Sequence, residues 1–302
     1  MSKRAAWLFP GQGTQRRGMG RDLFGRYPGL VQRADEILGY SVCRLCLEDP
    51  DDQLKLTAYC QPALYVVNAL TFLAKRRTES WPAFFAGHSL GEFSALFAAG
   101  AYDFETGLQM VRRRGELMAT VGTGSMLAVI GPSLQELSGL LRDLRLGEVE
   151  VANYNLPEQT VLAGPSASIE SLADAVVERQ LGRAVHLHVG GAFHSSSAEP
   201  AARAFARELE LYDFCDPAIP TISNVTACPY EPGSVRELLA QQMRHAVRWV
   251  ETMAYLRKQG VEQAVQVGPG RVLDGLWERS GTPRTGSRDT SLKANERVEG
   301  AQ

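Results

Sequence analysis

A serine between two glycines is the feature of this sequence with the clearest chemical meaning. Gly87, Ser89 and Gly91 lie in the stretch GHSLGE, which has the spacing of a nucleophile elbow, where a strand ends, the chain turns sharply and a helix begins. Side chains at the two glycine positions would collide across so tight a turn. Ser89 would then stand at a helix N-terminus, where free N–H groups favour an attacking alkoxide and the oxyanion that follows. The spacing therefore predicts that Ser89 is a nucleophile.

A serine hydroxyl needs a base, and histidine is the side chain best suited to take its proton near neutral pH. Among the five histidines, His194 is the best candidate, because it lies in the small-residue loop GGAFHSSS at a predicted domain junction, where sites commonly form. His88 adjoins the serine, but neighbours on an elbow point in different directions, and His245 lies near a predicted helix end. Asp174 could be the acid of an esterase triad, yet it falls on a predicted helix where we expect it to be solvated.

Two further stretches could stabilise negative charge. The loop Pro10–Gly13 follows the first predicted strand, so it lies at the carboxyl edge of the sheet and could offer N–H groups to an oxyanion. It lacks the spacing of nucleotide-binding glycine loops. Three adjacent arginines, residues 112–114, spread over about 200° of a predicted helix, so that one can point inward while another stays in water. A buried arginine beside the nucleophile would be costly unless it held a carboxylate.

Metal and redox chemistry are not favoured. Cys43 and Cys46 have the spacing of half a zinc site, but the remaining three cysteines form no second pair. They are more typical of residues that pack on an ordinary helix. His186 and His188 alternate along a predicted strand and would face the same way, but without nearby carboxylates we interpret them as structural. Asn224 begins a glycosylation sequon, which has no meaning without secretion.

Composition limits the class of protein. The chain has 302 residues, of which 44% are hydrophobic and 22% charged, as in soluble globular proteins. The formal net charge of −2 gives no general attraction to nucleic acid or membranes. No apolar run approaches the roughly 20 residues that span a bilayer, and the N-terminal apolar stretch is shorter than a signal-peptide core. We therefore expect a cytoplasmic protein whose five cysteines are thiols.

The order of predicted elements shows how these residues would be positioned. From the N-terminus to about residue 124, strands alternate with pairs of helices, which predicts an α/β fold with parallel strands. The order then changes to βαββαβ over residues 126–189, which is the ferredoxin-like motif. We predict a hydrolase-like, parallel-sheet large subdomain of residues 1–124 and 191–279, with an inserted ferredoxin-like small subdomain of residues 125–190. Residues 280–302 have almost no large apolar side chains, which predicts a disordered tail.

With these residues in place, the chain resembles the malonyl-CoA:acyl carrier protein transacylases. Within that family it is most similar to the stand-alone, trans-acting acyltransferases that serve polyketide synthases lacking a built-in one. The matching stretches follow the family's order over residues 9–273, and they are FPGQGTQ, QPALYVVNAL, GHSLGEFSALFAAG, MVRRRGELM, GSMLAVIG, NYNLPEQTVLAG, GAFHS, ISNVTA and QVGPGRVL.

The resemblance implies a set of catalytic residues. Ser89 would be the acylated nucleophile and His194 its base, with the imidazole oriented by a backbone carbonyl that the match assigns to Gln242. The backbone amides of Gln12 and Leu90 would form the oxyanion hole, and Gln12 would also contact the substrate.

The resemblance also implies how the substrate is chosen. Arg114 would pair with the malonyl carboxylate. Phe193, directly before the histidine, would leave no room for an α-methyl group, which predicts malonyl over methylmalonyl. Asn153 or Asn155 would lie near the site without an assigned role. The chain departs from the family at residues 196–198, Ser-Ser-Ala, whose small side chains we expect to loosen the edge of the pocket.

The predicted function is transfer of a malonyl group from malonyl-CoA to the phosphopantetheine thiol of an acyl carrier protein. The reaction would pass through malonyl-Ser89 with ping-pong kinetics, would need no metal or bound cofactor beyond the CoA thioester substrate, and would supply extender units to a polyketide synthase. Nothing in the sequence demands more than a monomer. Acidic carrier proteins could dock on basic residues, the candidates being Arg16, Arg17, Lys75, Arg76 and Arg77.

Three other functions remain open at this point. A proofreading acyl hydrolase acting on acyl carrier proteins could use the same fold, although simple acyl chains gain nothing from a carboxylate-binding arginine. A serine esterase lacks an acid in a credible place. A non-catalytic docking protein would have no need of Ser89, His194 and Arg114 together.

Overall fold

The computed structural model describes residues 4–122 and 124–281. Of the predicted tail, residues 280–302, only Ser280, which ends the last helix, and Gly281, which caps it, are described. In chain order, the strands are β1 (Ala5–Phe9), β2 (Phe84–Gly87), β3 (Ser125–Ile130), β4 (Glu150–Leu156), β5 (Gln159–Gly164), β6 (Arg183–Leu187), β7 (Thr221–Ile222) and β8 (Gln263–Gln266).

The helices surround these strands. In chain order they are α1 (Arg21–Phe24), α2 (Pro28–Leu38), α3 (Val42–Glu48), α4 (Thr57–Lys75), α5 (Gly91–Ala98), α6 (Phe104–Met118), α7 (Leu134–Asp143), α8 (Ser166–Glu178), α9 (Glu199–Leu209), α10 (Val235–Gln242), α11 (Trp249–Lys258) and α12 (Val272–Ser280). Short 3₁₀ segments span Pro50–Lys55 and Ser196–Ala198.

The larger sheet is parallel, with strand order β7-β2-β1-β8. Strands β1, β2 and β7 are almost wholly buried, as expected where helices cover both faces, and the edge strand β8 is partly exposed. The aromatic side chains of Trp7, Phe9 and Phe85 pack against Phe72 of α4. Phe9 pairs with Gly87 at the carboxyl ends of β1 and β2, so the loops that follow these two strands emerge side by side.

The smaller sheet is antiparallel, with strand order β4-β5-β3-β6. Its elements follow one another as βαββαβ, and the second and fourth strands of the motif lie at the two edges, which is the ferredoxin-like arrangement. The predicted fold class, a parallel α/β sheet with a ferredoxin-like insertion, is therefore confirmed. The exact boundaries at residues 124/125 and 190/191 stay a prediction.

Backbone hydrogen bonds join β4 of the small sheet to the segment between α10 and α11. The N–H of Tyr154 on β4 donates to the carbonyl of Val247 over 2.9 Å, and the N–H of Val247 donates to Ala152 over 2.9 Å. Val247 lies in the segment between α10 and α11, close in sequence to Gln242. The small sheet is thus fixed beside the segment that follows α10, and the functional site lies at this junction.

Candidate active site

The turn between β2 and α5 has the geometry that the glycine spacing predicts. Ser89 adopts a left-handed backbone conformation with φ of 51°, a strain typical of functional residues. A Cβ atom on Gly87 would lie 2.0 Å from the carbonyl carbon of Gly91, and one on Gly91 would lie 1.9 Å from the carbonyl oxygen of Phe9. Only glycine fits at both places, so the serine is held at the apex of a closed turn.

Ser89 and His194 are in direct contact. The distance from the serine Oγ to the imidazole Nε2 is 2.7 Å. The Nδ1 atom lies 3.0 Å from the carbonyl oxygen of Gln242 and 3.1 Å from that of His245. Carbonyl oxygens only accept hydrogen bonds, so Nδ1 carries the proton and the lone pair of Nε2 faces the serine.

His194 is held in its neutral form. Burial, and after it the positive charge of Arg114, lowers the pKa of the imidazole to about 3. A neutral imidazole can take the serine proton, which is the first requirement of a general base. The partners of Nδ1 are carbonyls, whereas Asp174 is exposed on α8, so no triad of the esterase type is assembled around this histidine within the described residues.

Arg114 lies beneath the serine and is fully buried. Its guanidinium donates to the side-chain oxygens of Gln61 over 2.7 Å, Gln242 over 2.8 Å and Ser89 over 3.2 Å. All three partners are neutral, and burial lowers the pKa of the guanidinium to about 9. Its Nε atom is buried without a hydrogen-bond partner among the described residues. Arg114 is not among the described residues that line the pocket, so its pairing with the malonyl carboxylate stays a prediction.

The neighbouring arginines point away from the site, as the helical spread allows. Arg112 and Arg113 both pair with Glu116 at the surface, over 3.0 Å and 3.2 Å. Only the last arginine of the three faces the core of the protein.

The loop after β1 closes against the elbow. A Cβ atom on Gly11 would lie 2.4 Å from the carbonyl oxygen of His88, so the glycine allows the two loops to touch. Gln12 and Leu90 line the same pocket as Ser89. Neither of their backbone N–H groups donates a hydrogen bond to another described residue. Two free N–H groups beside the nucleophile are what an oxyanion hole requires.

The pocket around Ser89 has a volume of about 290 Å³. Both subdomains line it, and its apolar wall consists of Met118, Met126, Leu187, Val189 and Phe193. His188 and Asn153 also line the pocket. His188 follows the end of β6, so the two histidines of the HLH stretch do not share the strand.

The structure separates the two candidate asparagines. Asn155 is bonded to His88 over 2.8 Å rather than facing the pocket. None of residues 196–198 is among the described residues that line the pocket, and the N–H of Ser196 donates to the carboxylate of Glu150. The expectation that small side chains there loosen the pocket edge stays a prediction.

Several residues of the site were missed in the sequence. Asn224 accepts the N–H of Ser89 at 2.7 Å and donates to the carbonyl of Gly87 at 2.6 Å. The side chain of Gln242, and not only its carbonyl, is engaged, because its Nε2 donates to the carbonyl of Ser89 over 2.8 Å. Glu92 lies fully buried behind both. The available signals were the final glutamate of GHSLGE and the stretch ISNVTA, where Asn224 was considered only as a sequon.

The basic candidates for docking divide into two groups. Arg16 and Arg17 are exposed on the loop whose preceding residues line the pocket. Residues 75–77 lie at the far end of α4, whose first residue, Thr57, contacts Gln12. A helix of 19 residues is about 28 Å long, so residues 75–77 are remote from Ser89.

Two further findings concern metal binding and membrane-spanning helices. Cys46 is buried on α3, and within residues 4–122 and 124–281 no three potential His, Cys, Asp or Glu ligands are grouped to hold a metal ion. In that same part of the chain, no helix has the length and apolar character needed to cross a membrane.

Comparisons with known proteins agree in sequence and in fold. Residues 6–286 match the model of the acyl transferase domain family. The polyketide biosynthesis malonyl CoA-acyl carrier protein transacylase PksC of Bacillus subtilis is 47% identical over 277 residues, covering 90% of this chain and 96% of that protein. The crystal structure of malonyl CoA-acyl carrier protein transacylase from Burkholderia pseudomallei has a TM-score of 0.90 at 45% identity, covering 93% of this chain and 100% of that chain.

A solved complex is also similar. It contains a type II PKS acyl-carrier protein with its malonyl-transacylase, and the matching chain has a TM-score of 0.86 at 35% identity, covering 92% of this chain and 93% of that chain.

Proposed function

We propose that this chain, which belongs to the acyl transferase domain family, transfers a malonyl group from malonyl-CoA to the phosphopantetheine thiol of an acyl carrier protein. The observation that carries the proposal is the meeting of Ser89, His194 and Arg114 around one serine oxygen. Similarity to polyketide malonyl CoA-acyl carrier protein transacylases supports a role in supplying extender units to a polyketide synthase.

The first half-reaction follows from these contacts. Arg114 binds the free malonyl carboxylate, which places the thioester carbonyl over Ser89. His194 takes the hydroxyl proton as the serine oxygen attacks, and the amides of Gln12 and Leu90 stabilise the oxyanion. The carbon–sulfur bond then breaks, the CoA thiolate receives the proton from the imidazole, and malonyl-Ser89 remains.

The second half-reaction reverses these steps with a new thiol. His194 accepts the proton of the phosphopantetheine thiol, and the thiolate attacks the malonyl ester. The bond between the acyl carbon and the oxygen of Ser89 breaks, and the serine recovers its proton. One covalent intermediate shared by two substrates gives ping-pong kinetics, and the balance of atoms requires no cofactor.

Phe193 supports a preference for malonyl over methylmalonyl. It is buried in the pocket wall directly before His194, where its ring limits the space at the α-carbon of the acyl group. One methyl group discriminates by roughly 10–200-fold, so the selectivity should be strong but not absolute.

The proposed substrates also suggest the surroundings of the protein. A phosphopantetheine thiol stays free in a reducing compartment, so we place the reaction in the cytoplasm. Arg16 and Arg17 stand on the pocket side of the molecule and are the basic residues that we assign to carrier docking.

The test is a competition experiment with holo carrier protein. Equal amounts of malonyl-CoA, methylmalonyl-CoA and acetyl-CoA are offered, and the acyl groups on the carrier are measured by mass spectrometry. We expect malonyl-carrier to dominate. Accumulation of free acid with no acylated carrier would favour the proofreading hydrolase instead, and equal loading of all three groups would contradict the roles of Arg114 and Phe193.

A further inference from the structure

Glu92 is a charged side chain that the mechanism above does not use. It lies in the first turn of α5, three residues after Ser89, and its relative exposure is 0%. A carboxylate is costly to bury unless hydrogen bonds replace the water it loses. The hydrogen bonds around this carboxylate therefore indicate the role of its charge.

Every recorded neighbour of the carboxylate donates a hydrogen bond to it. Oε1 accepts from the Tyr230 hydroxyl over 2.5 Å and from the backbone N–H of Asn224 over 2.9 Å. Oε2 accepts from Nε2 of Gln242 over 2.6 Å. A backbone N–H and an amide NH₂ can only donate, so both oxygens act as acceptors, and an ionised carboxylate can accept from all of these donors at once. A glutamine at this position would turn its own NH₂ group against one of these donors.

Asn224 and Gln242, which both donate to Glu92, also form hydrogen bonds with the turn around Ser89. Asn224 bonds to the N–H of Ser89 and to the carbonyl of Gly87. Gln242 bonds through Nε2 to the carbonyl of Ser89 and through Oε1 to Arg114. The backbone carbonyl of Gln242 also accepts the Nδ1 proton of His194.

We propose that ionised Glu92 is a positioning residue, which fixes Asn224 and Gln242 and through them Ser89, His194 and Arg114. It touches none of the reacting groups itself. The side-chain amide of Gln242 also links the Glu92 carboxylate to the buried guanidinium of Arg114. The other hydrogen-bond partners of Arg114, Gln61 and Ser89, are neutral. The inference rests on the proposed function, because the readout is acylation of Ser89.

The groups around Glu92 allow this role to be seen in a pH profile. Burial raises the pKa of Glu92 to about 7, and the hydrogen bonds from Tyr230 and Gln242 oppose that rise. The pKa of His194 is lowered to about 3, that of Arg114 is lowered to about 9, and those of Tyr102 and Tyr230 are raised well above their ordinary value. Glu92 is therefore the group of this cluster that changes its charge near neutral pH.

The experiment measures the rate of malonyl-Ser89 formation by rapid quench across the pH range in full-length protein. We expect the rate of the unmodified protein to rise with pH through about 7 as Glu92 ionises. In Glu92→Gln the rising limb should vanish, and the rate above that pH should fall about tenfold to hundredfold, because small misplacements of reacting groups have effects of this size. Glu116→Gln removes a partly exposed carboxylate on α6 and should keep the original limb.

A second variant keeps the carboxylate and changes only its environment. Tyr230→Phe removes a hydrogen bond that favours the ionised form, so the limb should move to higher pH. A residue that merely stabilised the fold would not move it.

The outcomes are distinct. The proposal is overturned if Glu92→Gln acylates at the original rate or keeps the limb at the same pH. If that variant does not fold, an unshifted limb in Tyr230→Phe overturns it. An unmodified protein that forms no malonyl adduct would refute the proposed function instead.

Discussion

At the scale of single residues, the site depends on a buried arginine next to a neutral histidine. The helical spread of residues 112–114 allowed one arginine to face inward, and the resemblance identified it as Arg114. Its partners Gln61 and Gln242 could not be predicted in the same way, because they lie 53 and 128 residues away in the chain. Local periodicity indicates that a side chain is buried, but only tertiary packing decides what it meets.

Arg114 should determine the preference for a carboxylate. A charge-assisted hydrogen bond contributes about 1.5–3 kcal/mol, so Arg114→Ala should lower kcat/KM for malonyl-CoA about 10- to 150-fold and spare acetyl-CoA. Steady-state kinetics with both substrates measure the ratio. Arg113→Ala, which removes the partly exposed neighbour, should leave the ratio unchanged. An unaltered malonyl preference in Arg114→Ala would count decisively against carboxylate binding.

The lowered pKa of His194 has a consequence for stability. The unfolded chain protonates this imidazole below its ordinary value of 6.5, whereas the folded protein does so only near 3. The unfolded state therefore binds more protons between these values, and the free energy of unfolding must fall as the pH is lowered through 6.5. His194→Asn removes this linkage.

Urea unfolding at about pH 7.5 and about pH 5 tests the effect. The unmodified protein should lose roughly 2 kcal/mol more than His194→Asn over this interval, since each pKa unit corresponds to about 1.4 kcal/mol. Parallel losses in the two proteins would mean that the imidazole is not buried in its neutral form.

At the scale of elements, the elbow positions the serine through close contacts of backbone. The strand, turn and helix around Ser89 could be predicted, because glycine spacing and hydrophobic pattern are local properties. The close approach of β1 to the start of α5 could not be predicted, although it is the direct reason why residue 91 must be glycine. The hydrogen bond from the N–H of Ser89 to Asn224 could not be predicted either, because the two residues are 135 positions apart in the chain.

A methyl group at Gly91 should therefore disrupt both fold and activity. Its Cβ would lie 1.9 Å from the Phe9 carbonyl oxygen, so Gly91→Ala should destabilise the protein by about 3 kcal/mol and abolish malonylation. Gly29 offers the matched control, since it lies in α2 with open space around it. Gly29→Ala should raise stability by about 0.5–1 kcal/mol, and thermal unfolding distinguishes the two. Equal effects would contradict the close-contact account.

At the scale of the whole molecule, the pocket forms where the inserted sheet meets the parallel sheet. The βαββαβ order predicted the insertion, because strand and helix patterns are local and the motif has few alternatives. Its attachment through Val247 and the contribution of His188 to the pocket depend on the packing of the two parts, which no sequence pattern records. The same packing places Arg16 and Arg17 on the pocket side and residues 75–77 away from it.

Carrier docking should follow this division of charge. The double variant Arg16→Glu and Arg17→Glu should raise KM for holo carrier protein severalfold and weaken its dependence on salt, because complementary charges act mainly on encounter. Arg76→Glu with Arg77→Glu makes the same change of charge at the remote end of α4. A comparable rise in KM from that pair would show that the position of the charges is immaterial.

The most direct test of the account is the identity of the acylated atom. Intact-protein mass spectrometry after mixing with malonyl-CoA should show one added malonyl group, and the group should move to holo carrier protein on its addition. Ser89→Ala should show no adduct. A malonyl adduct retained in Ser89→Ala, or an adduct on the unmodified protein that holo carrier cannot remove, would contradict transfer through this serine.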